Sequence, residues 1–207
     1  MLAPMDDPKS LVRRGYDLVS RAYRADDATE GEYADWLEQL ESRLAPGSRV
    51  LDLGCGCGIP AARRLARRFD VIGVDISPVQ IARARELVPR ASFVCADMTT
   101  MQFDDASFHA IACLYALIHL PLAEQPVLLQ RIGTWLRPGG LFIATVGQRA
   151  WTGVEKNWLG VEGGDMWWSH ADVETYRAWL AAAGMRLELE TFIPEGNGGH
   201  AFLLAVR

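Results

Sequence analysis

The chain has little of the chemistry that staples a small fold or gives a protein one dominant charge. Only four cysteines occur in 207 residues. Cys55 and Cys57 form a lone Cys-x-Cys, whereas a zinc centre needs paired thiolates at finger-like spacing, so no metal is expected. Cys95 and Cys113 fall on predicted strands and are expected to be small, buried apolar residues. Positive charge is not in excess: 21 Lys and Arg face 26 Asp and Glu, for a net charge of −5. No global field therefore draws in nucleic acid or an anionic membrane. No apolar run approaches the roughly 18 residues of a membrane span. The start, Met1-Leu2-Ala3-Pro4-Met5-Asp6-Asp7, has neither the basic beginning nor the apolar core of a signal peptide, so a cytoplasmic location is expected. Repeats and low-complexity tracts are missing, and no heptad seam announces an oligomer, so oligomeric state stays open. With half of its residues hydrophobic, the chain is long enough for one sizeable core and is expected to form a single domain over 1–207.

What is present is alternation. Apolar residues at Leu11, Val12, Tyr16, Val19 and Tyr23 predict a helix over 9–23, and a second is predicted over 30–44, ended by Pro46-Gly47. Strand patterns then follow at 49–53, 71–74, 92–96, 110–114 and 141–146. Between them lie helices at 60–69, behind Ser77-Pro78, and along the Leu128, Ile132, Trp135, Leu136 stripe that stops at Pro138-Gly139-Gly140. Parallel neighbours need crossovers, so this order predicts a parallel α/β sheet with helices on both faces. After a predicted helix at 172–183, Leu187, Leu189, Thr191 and Ile193 alternate with polar residues. The turn-rich Pro194-Glu195-Gly196-Asn197-Gly198-Gly199 leads into 200–206, a hairpin whose last strand runs antiparallel. Arg63, Arg64, Arg67 and Arg68 share the polar side of the 60–69 helix and are expected to form a solvated face.

The run Val50-Leu51-Asp52-Leu53-Gly54-Cys55-Gly56-Cys57-Gly58 reads as a buried strand feeding a glycine-rich loop that opens a helix. Glycine permits left-handed dihedrals there and lets a ligand approach bare backbone. Asp75 ends the second strand at the separation where an acid can accept both hydroxyls of a ribose. A nucleoside crevice follows. The looser pattern Gly56-x-Gly58-x-x-Ala61 also satisfies a dinucleotide fingerprint, so this loop alone leaves a nicotinamide enzyme open.

Taken with Asp97-Met98 after strand three, Leu136-Arg137-Pro138-Gly139-Gly140 and the terminal hairpin, the loop resembles that of class I S-adenosylmethionine-dependent methyltransferases of the small-molecule type. The resemblance implies a three-layer Rossmann-like sandwich. Its seven-stranded, mostly parallel sheet has order 3-2-1-4-5-7-6, with the last strand antiparallel. It also implies S-adenosylmethionine as cofactor, released as S-adenosylhomocysteine. Asp52 then organises the loop towards the methionine amine, and Gly54, Gly56 and Gly58 lie against the ligand. Asp75 takes the ribose, Ile76 and Gln80 flank the adenosine, Asp97 and Met98 meet the adenine, and the Leu114 carbonyl lies near the amine. Tyr16 and Tyr23 belong to a helical lid over about 8–45. Two departures narrow the class. Phe108 is followed by His109 where many members have aspartate, and His109 is read as structural. Strand four lacks both the acidic end of magnesium-dependent catechol enzymes and the Asn/Asp-Pro-Pro-aromatic signature of enzymes that methylate exocyclic amines of DNA or protein amides.

On the acceptor side, Trp151, Trp158, Trp167 and Trp168 crowd an insertion at about 148–170, over the carboxyl ends of the strands where ligands bind in such sheets. Trp151, Trp158, Trp168, Tyr115 and His200 are expected to contact substrate. His119 and His170 are the expected catalytic candidates, since an acceptor hydroxyl or ammonium must lose a proton and histidine titrates in the right range. The expected activity is methyl transfer to oxygen or nitrogen of a small organic acceptor of the secondary-metabolite kind, with no nucleic acid or membrane partner. The alternatives are an NAD(P)-dependent oxidoreductase and a non-catalytic S-adenosylmethionine-binding module.

Overall fold

A computed structural model describes residues 7–196 and 198–207; residues 1–6 of the amino-terminal reading and Asn197 of the hairpin turn lie outside the described residues. Helix α1 (Pro8–Tyr23) starts where the sequence provides a cap: the Asp7 carboxylate accepts the Ser10 N–H, and Pro8 occupies the first turn, where no donor is needed. Helix α2 (Tyr33–Glu41) is shorter than the predicted 30–44. Strand β1 (Arg49–Leu53), helix α3 (Ala61–Leu65), strand β2 (Asp70–Asp75), helix α4 (Pro78–Leu87) and strand β3 (Ser92–Cys95) follow in the expected order. Strand β4 (Phe108–Cys113), helix α5 (Gln125–Trp135) and strand β5 (Leu136–Gly147) complete the parallel part. Strand β5 begins earlier than predicted. It absorbs Pro138-Gly139-Gly140 as a bulge, because the register against β4 jumps from Phe108↔Leu136 to Ala110↔Leu141.

Strands β6 (Trp151–Glu155) and β7 (Met166–His170) form a separate two-stranded antiparallel sheet within the insertion, pairing Trp151 with His170 and Glu155 with Met166. Thr152, Val154, Trp167 and Trp168 favour strand conformation, a signal that the reading of the tryptophans as a pocket roof passed over. Helix α6 (Val173–Ala182) then leads to strands β8 (Arg186–Glu195) and β9 (Gly198–Val206). The seven-stranded sheet has order β3-β2-β1-β4-β5-β9-β8, with β9 antiparallel to both its neighbours. Once β6 and β7 are set apart, this is the expected order.

Both faces of the sheet are covered. Leu51, Ile111 and Phe142 point to a core shared with Leu128 and Ile132 of α5 and with Tyr176 and Leu180 of α6. Val50, Ala110 and Ile143 point the other way, against Leu37 of α2, Leu65 of α3 and Ile81 of α4. Trp36 of α2 stacks on Phe202 of β9 with ring centroids 5.0 Å apart, pinning the lid's second helix to the sheet.

Two expectations need correction. Cys95 is exposed rather than buried, because β3 is the sheet's edge strand and buries only Phe93; Cys113, on interior β4, is buried as expected. Arg64 is not part of a solvated face. Its side chain is 13% exposed and reaches Glu41 at 2.6 Å, Glu30 at 2.8 Å and Glu38 at 2.9 Å, joining α3 to the α2 region. Arg64→Gln should therefore lower stability by about 3 kcal/mol, since it strands the equally covered Glu41 carboxylate. Glu38→Gln, at a partner 61% exposed, should cost under about 1 kcal/mol. Urea unfolding of the two variants checks the contrast.

Candidate active site

The site is built where β1 and β2 end side by side. The Val74 carbonyl accepts the N–H groups of Gly54 at 2.7 Å and Cys55 at 3.1 Å, turning the chain sharply out of the sheet. Gly54 has φ +73°, and a Cβ there would overlap the Ala116 side chain, so both conformation and space demand glycine. The Asp75 carboxylate ties the loop from the other side: one oxygen accepts the Gly56 N–H at 2.9 Å and the other the Ser77 N–H at 2.8 Å. A carboxylate has about four lone-pair sites, so acceptor capacity remains.

Two carboxyl groups, Asp52 buried and Asp75 half-buried, thus lie close to bare backbone. Burial, and then the charge of Asp75, push Asp52 up to about 7. Burial pushes Asp75 up to about 6, against the lowering effect of its backbone N–H partners, while Asp17 adds to the rise. Among the described residues, Asp52 Oδ2 is buried with no hydrogen-bond partner, as are Gln80 Nε2 and Arg24 Nε. Asp52 and Arg24 both line one small recess of about 30 Å³, with Gly54 and Leu114. An acid and a base, each with an unmatched polar atom, suit the ammonium and carboxylate of an amino-acid tail.

The recess adjoins a crevice of about 60 Å³ that gathers Gly54, Gly56, Asp75, Ile76, Asp97 and Met98, with Leu114 and His119 also in its wall. Gln80 lies behind Gly56, its Oε1 accepting the Ser20 hydroxyl at 2.8 Å. Gly58, with φ +78°, lies instead beneath the loop, where a Cβ would press on Val88 and Phe93. Burial pushes the Asp97 carboxyl up, but Lys9 and Thr99 outweigh it and hold it below the usual carboxylate range. Lys9 Nζ lies 2.6 Å from both Asp97 and Glu124, fastening the start of α1 across the crevice. The other end of α1 is held by Arg83, which donates to the Ser20 carbonyl at 2.7 Å and the Arg24 carbonyl at 2.7 Å.

Beyond the crevice opens a chamber of about 1020 Å³. Tyr16, Tyr23 and Tyr115 line both spaces and form the throat between them. Trp151, Trp158, Trp168, His170 and His200 line the chamber side. Trp158 packs edge-on against Tyr16 and Trp168 and tilts across Tyr23, with centroids 5.3–5.7 Å apart, so the insertion and α1 share one aromatic cluster. Tyr115 is held at φ +54°, and its hydroxyl donates to Glu32 at 2.7 Å.

The three candidate histidines separate here. His119 lines the crevice, not the chamber. Its Nδ1 lies 2.7 Å from the Trp167 carbonyl and its Nε2 2.9 Å from the Tyr16 hydroxyl. The carbonyl can only accept, so Nδ1 carries the proton and Nε2 accepts from Tyr16. Burial pushes His119 down to about 4 and pushes the Tyr16 phenol well up, which suits a neutral ring accepting from a neutral phenol. His170 is lowered chiefly by burial, and its ring packs so tightly on Gly147 that a Cβ there would collide with it. His200 faces the chamber with Nδ1 2.8 Å from Glu195 Oε2. His109 sits at the amino end of β4, bonded to the Arg49 N–H and to Arg137, remote from all of these. Lys9, Arg24 and Glu195 were missed from sequence. Lys9 acts through Asp97 and Glu124, distant in the chain, while Arg24 and Glu195 have partners nearby in sequence, and no local motif marks any of the three.

No cluster of three or more metal-ligating side chains occurs among the described residues, and none of the described helices is long and apolar enough to cross a membrane. Residues 50–140 match the family model for a methyltransferase domain. The chain is 37% identical over 105 residues to the 2-methyl-6-phytyl-1,4-hydroquinone methyltransferase of Synechocystis sp., a match covering 48% of this chain and 32% of that protein. It is 39% identical over 150 residues to the methyltransferase GfsG of Streptomyces halstedii, covering 65% of this chain and 53% of the relative. The chain thus spans from a third to about half the length of these curated relatives. The fold matches that of the magnesium protoporphyrin IX methyltransferase of Synechocystis PCC 6803, solved with bound S-adenosylmethionine, at TM-score 0.73 over the full length of both chains and 18% identity.

The raised carboxyls make a prediction about pH. A group that titrates near 3.8 when unfolded and near 7 when folded keeps its proton longer in the folded chain, so its contribution to stability falls as pH rises through that window. Asp52→Asn should therefore gain on the parent chain between pH 4 and 7, by on the order of a few kcal/mol at pH 8. Thermal unfolding across that range, without ligand, checks it; parallel stability curves would refute the buried-acid account.

Proposed function

We propose that this chain, which belongs to the class I, Rossmann-like S-adenosylmethionine-dependent methyltransferases, transfers the methyl group of that cofactor to oxygen or nitrogen of a small organic acceptor. The reading rests above all on the pairing of unmatched polar atoms at Asp52 and Arg24 beside the glycine loop. A nicotinamide dinucleotide brings a pyrophosphate to the glycine loop. Here the loop faces two acids, which favour a cationic ligand over an anionic one. The methyltransferase-domain match and the small-molecule relatives support the same conclusion.

When bound, S-adenosylmethionine supplies an electrophilic methyl on a positively charged sulfur. Asp52 and the Leu114 carbonyl take the ammonium of its tail, and Arg24 takes the carboxylate. Asp75 would hold the ribose hydroxyls, Ile76 and Met98 would flank the adenine, and Asp97 would meet its amino group. The Tyr16 hydroxyl, held by His119, fixes α1 across the ligand; His119 thereby acts as a positioning residue. Tyr23 and Tyr115 align the acceptor in the throat and exclude water. Holding the two reactants at reacting distance accounts for much of the rate gain in such displacements. The crevice and recess are smaller than a typical ligand pocket of about 300–1,000 Å³ and lie beneath α1.

Isothermal calorimetry is the direct test. S-adenosylhomocysteine should saturate the protein and NADH should not; the reverse result would overturn the reading. Asp75→Ala should weaken S-adenosylhomocysteine binding about tenfold or more, because it removes charge-assisted hydrogen bonds and loosens the loop. His119→Asn should weaken cofactor binding through the loosened lid while leaving the acid limb of the pH–rate profile in place, whereas loss of a proton-transferring base would abolish that limb.

A further inference from the structure

The acceptor chamber is walled by rings, and three of those rings rest on glycine. Trp151 of β6 and Phe192 of β8 line the chamber and are 49% and 53% exposed. Large apolar side chains scattered singly over a surface need no explanation, but these two open into one cavity. The Trp151 ring lies against Gly153, where a Cβ would come within 2.8–3.3 Å of three of its atoms. Phe192 lies against Gly199, its Cε2 and Cζ 2.7 and 2.8 Å from the place of a Cβ. The third ring is His170, packed so closely on Gly147 that a Cβ there would collide with it. All three glycines belong to strands, β6, β9 and β5, whose interiors glycine weakens unless something must approach the backbone closely. Here the rings make that approach, and no side chain tips them over.

The rings also form a row. Centroids lie 6.2 Å apart from Trp151 to His170, 6.1 Å from His170 to His200, and 5.4 Å from His200 to Tyr115. The wall therefore runs without a break from half-exposed Trp151 to Tyr115 of the throat. Burial, above all, holds His170 below the ordinary imidazole range, so the middle of the row is uncharged at neutral pH. Glu32, Glu155 and Glu195 share the chamber with Arg24 and Arg149, which gives polar substituents both donors and acceptors. At about 1020 Å³ the space stands at the top of the range of about 300–1,000 Å³ usual for ligand pockets. A single small ring would leave most of it to water. A wall ring already seated in one orientation loses little freedom when a flat ligand settles on it, so the chamber favours planar partners over puckered ones of equal size.

We infer that the chamber takes an extended acceptor with a flat body of fused rings, and that Trp151 and Phe192 select it by holding the rings farthest from the methylated atom. This rests on the methyltransferase reading above and adds to it the acceptor's shape and the two residues that choose it. The division of labour follows from position. The throat tyrosines meet the part of the acceptor that receives the methyl group, and the half-exposed rings meet the part that only needs to be recognised. Gly153 and Gly199 act through the rings that they seat, as positioning residues.

The test is a fluorescence titration of the full chain, saturated with S-adenosylhomocysteine, with the flat four-ring probe 1-hydroxypyrene. One probe should bind per chain. Phenol, a single ring, and testosterone, four puckered rings, should each displace it at least about tenfold more weakly than unlabelled 1-hydroxypyrene competes with itself in size-matched terms of wall contact. Trp151→Ala and Phe192→Ala, both at half-exposed positions, should each weaken the probe more than about threefold. Gly153→Ala removes no aromatic group, yet it should weaken the probe by a similar factor, about threefold, because its methyl group tips the Trp151 ring. All three variants should keep S-adenosylhomocysteine affinity within about twofold, since none of these residues lines the crevice or the recess. If phenol or testosterone competes as well as the flat probe, or if the three variants bind it as the wild type does, this inference is overturned and the methyltransferase reading stands. If S-adenosylhomocysteine fails to bind the wild type, both fall.

Discussion

The structure depends on two acids, one buried and one half-buried, held against glycine backbone at the carboxyl edge of the sheet. Asp52 and Asp75 lie on neighbouring strands, β1 and β2, and burial drives both carboxyls well above their usual range. Such an arrangement is costly without a cationic partner, because charged groups removed from water lose solvation that the interior does not replace. It persists because the sheet overdetermines it. Strand β1 lies between β2 and β4, so its end opens where the chain's crossovers diverge to opposite sides. The Val74 carbonyl and the Asp75 carboxylate then fix three successive loop N–H groups, at Gly54, Cys55 and Gly56. A cationic ligand beside these acids would offset the cost of burying them, which links the geometry of the loop to the choice of ligand.

The lid follows from the same constraint. Helix α1 covers the crevice, and few of its restraints are apolar contacts with the sheet. Lys9 crosses to Asp97 and Glu124, Asp17 accepts from Ser77, Ser20 reaches Gln80, and Arg83 grips the helix's last turn. Several of these partners, Asp97 and Gln80 among them, are also groups that a nucleoside would engage. A nucleoside in the crevice would thus meet some of the residues that hold the lid, whose aromatic residues lie over the site. Restraints of that kind exchange partners at modest net cost, because each broken protein hydrogen bond is replaced by one to ligand or water.

Much of this was legible in the sequence, and the legible part has a common physical basis. Local pattern reveals alternation of strands and helices, since burial on both faces of a parallel strand and one face of a helix leaves distinct periodicities. It also reveals the glycine loop, where backbone geometry selects the residue type. Strand order and the closing antiparallel hairpin were recovered on that basis together with the family resemblance. What pattern did not reveal is long-range pairing. Arg64 looked like part of a solvated basic face because its three carboxylate partners lie 23 to 34 residues away. Cys95 looked buried because a strand's own sequence does not say whether it lies at the edge. Strands β6 and β7 were hidden by tryptophans, which serve equally as strand formers and as pocket walls. At the site, the residues placed by resemblance mostly gather around one crevice, whereas Arg24 and Glu195 emerge only from the folded geometry.

The aromatic throat bears on how the proton and the positive charge would travel. A methyl cation equivalent moving from sulfonium to a neutral oxygen carries positive charge onto the acceptor, which an apolar throat opposes. If the proton leaves as the bond forms, the developing charges cancel between donor and acceptor, and a low local dielectric then favours the step. Tyr16, Tyr23 and Tyr115 form such a surrounding: the Tyr16 hydroxyl is turned inwards to buried His119, whereas that of Tyr115 meets Glu32 at the exposed rim. A base on the chamber side of that throat meets the requirement; one on the donor side, where His119 already has both nitrogens committed, would have to draw the proton past the sulfur. The three tyrosines thus separate crevice from chamber, and a methyl donor held in the crevice would leave proton removal to groups on the chamber side.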